Sequence, residues 1–221
     1  MENIHVVIAT FKNKISEEEI PYFRGSIIRL SGNNPLFHNH LDDGYRYSYP
    51  LVQYKIIDGH ATIVGINEGG MVIKELFEDS PRYDCMLGNR RVEMELIGIR
   101  TEKFEVRCEE RNHVYVLQQW LPLNRDNNQT YMSSDGLVEQ ILMLERILLG
   151  NILSFAKGVG KFFDVPVTCR ILQLQNNTPF GYKNVEFKSF NVIFRTNVAL
   201  PNYIGLGKSA AMNNGVVTLL K

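Results

Sequence analysis

Apolar positions in the first hundred residues switch between two periods. Ile4-His5-Val6-Val7-Ile8-Ala9-Thr10-Phe11 is dense and β-branched, and predicts a strand. Ser16-Glu17-Glu18-Glu19 has the form of a capping box, and Pro21 restarts the helix, which runs to about Leu30. Phe23, Ile27 and Leu30 share its apolar face. Ser31 to Tyr47 shows no period and reads as a long loop, a length that is often functional. Pro50 to Ile57 and His60 to Ile66 are strands joined by Asp58-Gly59, which suits a hairpin turn with two positive φ angles. Gly69-Gly70 opens a helix through Val72, Ile73, Leu76 and Phe77, with Pro81 beyond its end. Val92 to Ile99 alternates as a fourth strand. Strand, helix, hairpin, helix, strand is the order of a ferredoxin-like unit.

The second half starts the same way. Val114 to Leu117 leads to Trp120-Leu121-Pro122-Leu123-Asn124, and a polar loop reaches Ser134. Asp135 to about Lys157 is the strongest helix, with Leu137, Ile141, Leu144, Leu148 and Ile152 at helical spacing. Val167 to Leu174 and Val185 to Thr196 are strands, Ile204 to Gly215 is punctuated by glycine, and Val216 to Leu220 is a last strand. The expected fold class is α+β: two tandem ferredoxin-like, or RRM-like, domains with a C-terminal glycine-rich loop. The boundary falls near residues 108–113, giving domains 1–110 and 111–221.

Composition is that of an ordinary globular chain: 221 residues, 44% hydrophobic and 22% charged. No uncharged apolar run approaches the roughly 20 residues of a membrane span. Met1 to His5 has neither the basic segment nor the apolar core of a signal peptide, so the chain reads as the start of a cytoplasmic protein. Cys85, Cys108 and Cys169 form no close pair and read as buried thiols. Charge changes the picture only when divided. Residues 1–112 carry 14 basic and 18 acidic side chains, and residues 113–221 carry 10 and 6, so the halves stand at −4 and +4. An excess of cations in one half fits an anion-binding surface there.

Gly207-Lys208-Ser209 lacks the upstream glycine of a phosphate-binding P-loop, since Asn202 stands in its place. His38-Asn39-His40, followed by Asp42 and Asp43, has the alternation that can start a metallohydrolase site, but only His60 and His113 remain downstream as further histidine ligands. Metal-free RNA cleavage needs less. It takes a base near the 2′-hydroxyl, an acid near the leaving 5′-oxygen, and positive charge on the phosphate. Two histidines with Tyr45, Tyr47 and Tyr49 just beyond supply such groups. Gly205-Leu206-Gly207-Lys208-Ser209, with Asn213-Asn214-Gly215, lets backbone amides approach a phosphate chain, and Lys208 adds charge.

Several ordered stretches resemble one family. They are Phe23-Arg24-Gly25, Leu36-Phe37-His38-Asn39-His40, Tyr47 to Lys55 and Gly65-Ile66-Asn67-Glu68-Gly69 in the first half. In the second they are Trp120 to Asn124, Leu148 to Ser154 and Tyr203 to Ser209. The chain resembles, over nearly its whole length, the CRISPR-associated endoribonucleases of the Cas-six family, b type, which cut precursor repeat RNA into guides. The resemblance implies a metal-independent cut without cofactor, leaving a 2′,3′-cyclic phosphate. It maps the chemistry onto His38, His40 and a tyrosine, with Tyr47 chosen over Tyr45 and Tyr49, and leaves open which histidine is base and which acid. It implies RNA binding by Gly205, Gly207, Lys208, Ser209, Asn213 and Gly215. The implied partners are the precursor RNA repeat and subunits of the CRISPR interference complex, with no membrane and with monomer or homodimer open. A non-catalytic repeat-binding subunit of the same fold, and a metallohydrolase at His38, His40 and Asp42, are the alternatives. One departure stands out: the family's glycine loop ends Gly-x-Gly, and here Val217 follows Gly215 at the last position.

Overall fold

The computed structural model describes residues 3–38, 40–41, 44–45, 49–176, 180–182 and 185–220, with side chains for all but 40–41, 44–45, 176, 180–182 and 185–187. The chain forms two units. The first holds residues 1–105 and the short segment Ala211–Asn213; the second holds 106–210 and 214–221. Residues 106–110, which the sequence reading put in the first domain, therefore lie in the second unit.

The first unit is built on β1 (Ile4–Lys14), α1 (Ile20–Leu30), α2 (Pro35–His38), and the two-residue strands β2 (His40–Leu41) and β3 (Gly44–Tyr45). It continues with β4 (Val52–Ile57), β5 (His60–Ile66), α3 (Glu68–Leu76), β6 (Arg82–Leu87) and β7 (Arg90–Phe104). Its sheet runs β4-β5-β1-β7-β6, with every pair antiparallel. Setting β6 aside, that is the ferredoxin-like order, in which two strand–helix–strand halves interleave. The β4–β5 turn has Asp58 at φ 53° and Gly59 at φ 81°, and Ile57 pairs with His60. α1 begins where Pro21 fits, in a first turn that needs no amide donor. Ahead of it, Glu19 Oε2 accepts from the Ser16 amide at 3.0 Å and closes a short 3₁₀ turn.

The core lies between the sheet and its helices. Phe11 takes three rings edge-on, Phe23 and Phe77 at 5.6 Å and Tyr83 at 5.7 Å. Burying each such ring contributes roughly 1.5–3 kcal/mol. Two expectations change here. Leu30 is 42% exposed, because Ser31 and Gly32 end α1 before its face reaches the core. The strand β6, beyond those expected, hairpins into β7 through Gly88 at φ 65°; Arg82 and Asp84 alternate with Tyr83 and Cys85, and only the exposed Met86 departs from the pattern.

The second unit comprises β8 (Cys108–Trp120), α4 (Arg125–Ser133), α5 (Leu137–Gly158), β9 (Cys169–Asn176), the hairpin β10 (Phe180–Tyr182) and β11 (Val185–Phe187), β12 (Phe190–Val198) and β13 (Val216–Leu219). Its sheet runs β13-β8-β12-β9, again antiparallel and again the ferredoxin-like order. Leu144, Leu148, Ile152 and Phe155 form the buried face of α5, which lies against β9, and Tyr115 and Leu117 of β8 and Phe190, Val192 and Phe194 of β12 are buried in the same unit. Leu137, expected on that face, is 63% exposed. The polar loop expected before Ser134 is α4. Asn124 caps it, its Oδ1 accepting from the Asn127 amide at 2.7 Å, and Tyr131 alone is buried, so no apolar period marks it. The single strand expected over 185–196 is broken into β11 and β12. Where a ferredoxin-like unit carries its second helix, this one has residues 199–215, an irregular segment with no α-helix. Among the described residues, no helix is long and apolar enough to cross a membrane.

Candidate active site

The candidate site starts from the end of α1. Gly32 and Asn33 take positive φ, 64° and 61°, and turn the chain into α2. Asn34 opens that turn, its Oδ1 accepting from the Leu36 amide at 3.0 Å. α2 is four residues long and His38 is its last. The His38 ring is half-buried, and its Nε2 lies 3.1 Å from the Asn33 carbonyl. Phe37 is buried against the core, and the Tyr54 hydroxyl donates to its carbonyl at 3.1 Å. Arg24 donates from its guanidinium to the His38 carbonyl at 2.8 Å.

His40 opens β2, and its backbone pairs with that of Tyr45 in β3. The side chains of His40 and Tyr45, and Tyr47, Asp42 and Asp43 altogether, lie outside the described residues. Tyr49 is described: its hydroxyl oxygen accepts from Gln53 Nε2 at 2.8 Å.

The glycine-rich segment divides between the units. Gly205 pairs with Val216 as an isolated antiparallel bridge, and the Leu206 amide donates to the Gly215 carbonyl at 2.8 Å. Gly207 has φ 90°, and a Cβ there would stand 2.7 Å from Trp120 Nε1. Trp120 is fully buried, and that nitrogen donates to Asn151 Oδ1 at 3.0 Å. The Lys208 amide donates to Leu121 and the Gly215 amide to Gln119. These amides are therefore already engaged within the fold, while the side chains of Lys208 and Ser209 are exposed. Asn213 belongs to the first unit, where its Oδ1 accepts from the Ile56 amide at 2.9 Å.

His38, His40 and Asn213 thus share the first unit, and Gly205, Gly207, Lys208, Ser209 and Gly215 the second. Tyr54 links two parts of the first unit. Its hydroxyl holds α2, and its amide donates to Ala211 at 2.8 Å as the segment Ala211–Asn213 runs parallel along the edge of β4. Burial raises the Tyr54 phenol above its ordinary range, against the charge of Arg24, so it stays protonated and able to donate. Neither Arg24 nor Tyr54 stands out in the sequence as a site residue. Both fall in stretches that carry the family resemblance, Phe23-Arg24-Gly25 and Tyr47 to Lys55, but by residue type a cation on a helix and a tyrosine in a strand read equally as surface and core.

Two ferredoxin-like units in tandem, a histidine turn after the first helix and a glycine-punctuated segment in place of a helix define the class. Comparison with known proteins agrees. Residues 2–105 match the model of the Cas6b N-terminal domain, and residues 107–220 that of the Cas6b C-terminal domain. The chain belongs to the Cas6b family. A crystal structure of Cas6b superposes with a TM-score of 0.87 at 24% identity, covering 99% of this chain and 100% of that one. Another, of a Cas6b described as a CRISPR RNA processing endoribonuclease, gives 0.75 at 22% identity, with the same coverage. An uncharacterized protein of Methanocaldococcus jannaschii is 27% identical over 147 residues, 66% of this chain and 92% of the relative.

Proposed function

We propose that this chain is an endoribonuclease that cuts CRISPR precursor RNA within its repeat, without metal, by attack of the 2′-hydroxyl on the adjacent phosphorus. The observation that carries the reading is a histidine, His38, fixed at the end of a braced turn in a Cas6b chain. In this reading one of His38 and His40 takes the 2′-hydroxyl proton as the 2′-oxygen bonds to phosphorus. The other gives a proton to the 5′-oxygen as the P–O5′ bond breaks. The products are a 2′,3′-cyclic phosphate and a 5′-hydroxyl, and no electron pair or co-reactant is left over. Tyr47 is the third member, able to donate to a phosphate oxygen in the transition state. The exposed Lys208 and Ser209 side chains, with Asn213 and the glycines Gly205, Gly207 and Gly215 shaping the loop, serve the RNA backbone. Subunits of the interference complex that take up the guide are the second class of partner.

The test is single-turnover cleavage of repeat RNA in excess EDTA, beside a substrate with 2′-deoxyribose at the cut. The expected result is one cut that survives the chelator, is blocked by the deoxy substitution, and is lost in His38→Ala and His40→Ala. Cleavage that stops with chelator, or continues on the deoxy substrate, overturns the mechanism. A clear gel shift with no cut makes the chain a binding subunit.

A further inference from the structure

A single helical turn has no stability of its own, because nucleating a helix is unfavourable and propagation never begins. α2 is such a turn, and the last carbonyls of any helix lack partners within it. Here two of them are taken from outside. Tyr54, on β4, donates to the carbonyl of Phe37, and Arg24, on α1, donates to the carbonyl of His38 itself. Both donors stand on regular elements. Tyr54 is fully buried, with its ring edge-on to Phe23 at 5.8 Å, and its strand is covered along its edge by Ala211–Asn213. The turn is held at its other end by Asn34, and the His38 ring lies against the Asn33 carbonyl. The direction of the imidazole therefore depends on contacts to backbone carbonyls, which no substitution within the turn itself would reveal.

We infer that Arg24 and Tyr54 are positioning residues for cleavage: through the carbonyls of His38 and Phe37 they fix the turn that aims His38 at the RNA. The inference rests on the reading of His38 as a catalytic residue. Tyr54 also carries the bond to Ala211, so the C-terminal segment and the histidine turn are braced by the same residue.

Tyr54→Phe keeps the buried ring and removes only the hydroxyl. Arg24→Gln removes the guanidinium, and Arg24→Lys keeps a cationic donor. Each is measured for single-turnover cleavage rate in EDTA, for repeat-RNA Kd and for Tm, beside wild type and His38→Ala. A misplacement of about 1 Å can cost roughly a hundredfold in rate, so Tyr54→Phe and Arg24→Gln should cut about ten- to a hundredfold more slowly. Kd should stay within about twofold, and Arg24→Lys should recover part of the rate; a merely structural role would produce neither result. If His38→Ala is inactive while Tyr54→Phe and Arg24→Gln cut at the wild-type rate, the inference is overturned. It is equally overturned if their rates fall only in step with weaker RNA binding or lost folding. If His38→Ala cuts normally, the reading of the site fails, and the inference with it.

Discussion

Gly215 is the position where one added methyl group should do most damage. Its φ is +60°, a region that costs a residue with a Cβ about 1–2 kcal/mol. An ideal Cβ there would lie 1.9 Å from the Leu206 carbonyl oxygen, where ordinary C···O contacts stand at about 3.3 Å. The two strands of backbone must separate by more than an ångström. The bonds that join them are the Leu206 amide to the Gly215 carbonyl at 2.8 Å and the Gly215 amide to Gln119 at 3.1 Å. Each is worth about 1 kcal/mol net, and more where the loss leaves a buried group unpaired. Gly215→Ala should therefore destabilise the second unit by about 3–4 kcal/mol, a large share of the 5–15 kcal/mol typical of a domain. The assay is urea unfolding followed by the fluorescence of Trp120, the one tryptophan, which is buried in that unit close to Gly207. Gly150→Ala is the control. It stands on α5 with nothing within 4 Å of its Cβ direction, and should stabilise by about 0.5–1 kcal/mol. A Gly215→Ala midpoint equal to wild type would refute the reasoning, since the clash would then have been relieved without loss of either bond.

Other outcomes follow from the same structure. Asn151→Ala leaves the buried Trp120 N–H without its acceptor and should lower stability by about 1–3 kcal/mol, read as a fall in the urea midpoint. Burial pushes the Lys55 ammonium down to about 7, so between pH 7 and its unfolded value the unfolded chain binds the extra proton, and stability rises with pH. Lys55→Met should stabilise most below pH 7, by an amount on the order of 2–4 kcal/mol read as a raised urea midpoint, and the gap to wild type should close toward pH 10. The Arg111 guanidinium at 2.6 Å, with Arg107 at 3.0 Å, holds the Glu109 carboxyl at about 2. Its contribution is present above the ordinary carboxylate range and lost as pH falls toward 2, so Glu109→Gln should flatten the Tm loss across that window.

Much of the first unit is written locally. The Asp58-Gly59 turn and the proline start of α1 are each set by a residue or two whose backbone preference is strong; α3 begins instead at Glu68, after Asn67 at φ 50°, and its Gly69 and Gly70 serve close packing on Leu51 and Val7. β6 and α4 were not legible for the opposite reason. β6 is six residues long and its alternation ends on the exposed Met86, and α4 buries Tyr131 alone, so neither shows a sustained apolar period. Leu30 and Leu137 mark the same limit from the other side, apolar residues at the right spacing that the end of a helix leaves in solvent.

The candidate site divides in the same way. His38, His40, the tyrosine run and the glycine-punctuated tail are visible as residue types, and their order is enough to point to a family. Two strand–helix alternations and the chemistry available to them are legible in the chain, because period and turn preference act over a few neighbouring residues. Tertiary structure alone decided that residues 199–215 replace a helix and that the amides of Leu206, Lys208 and Gly215 bind the fold. It alone decided that Ala211–Asn213 join the first unit and that Arg24 and Tyr54 hold the turn carrying His38. Those are hydrogen bonds between groups far apart in the chain, mostly to backbone carbonyls that every residue possesses. A pattern of side chains carries no record of which carbonyl a donor will reach.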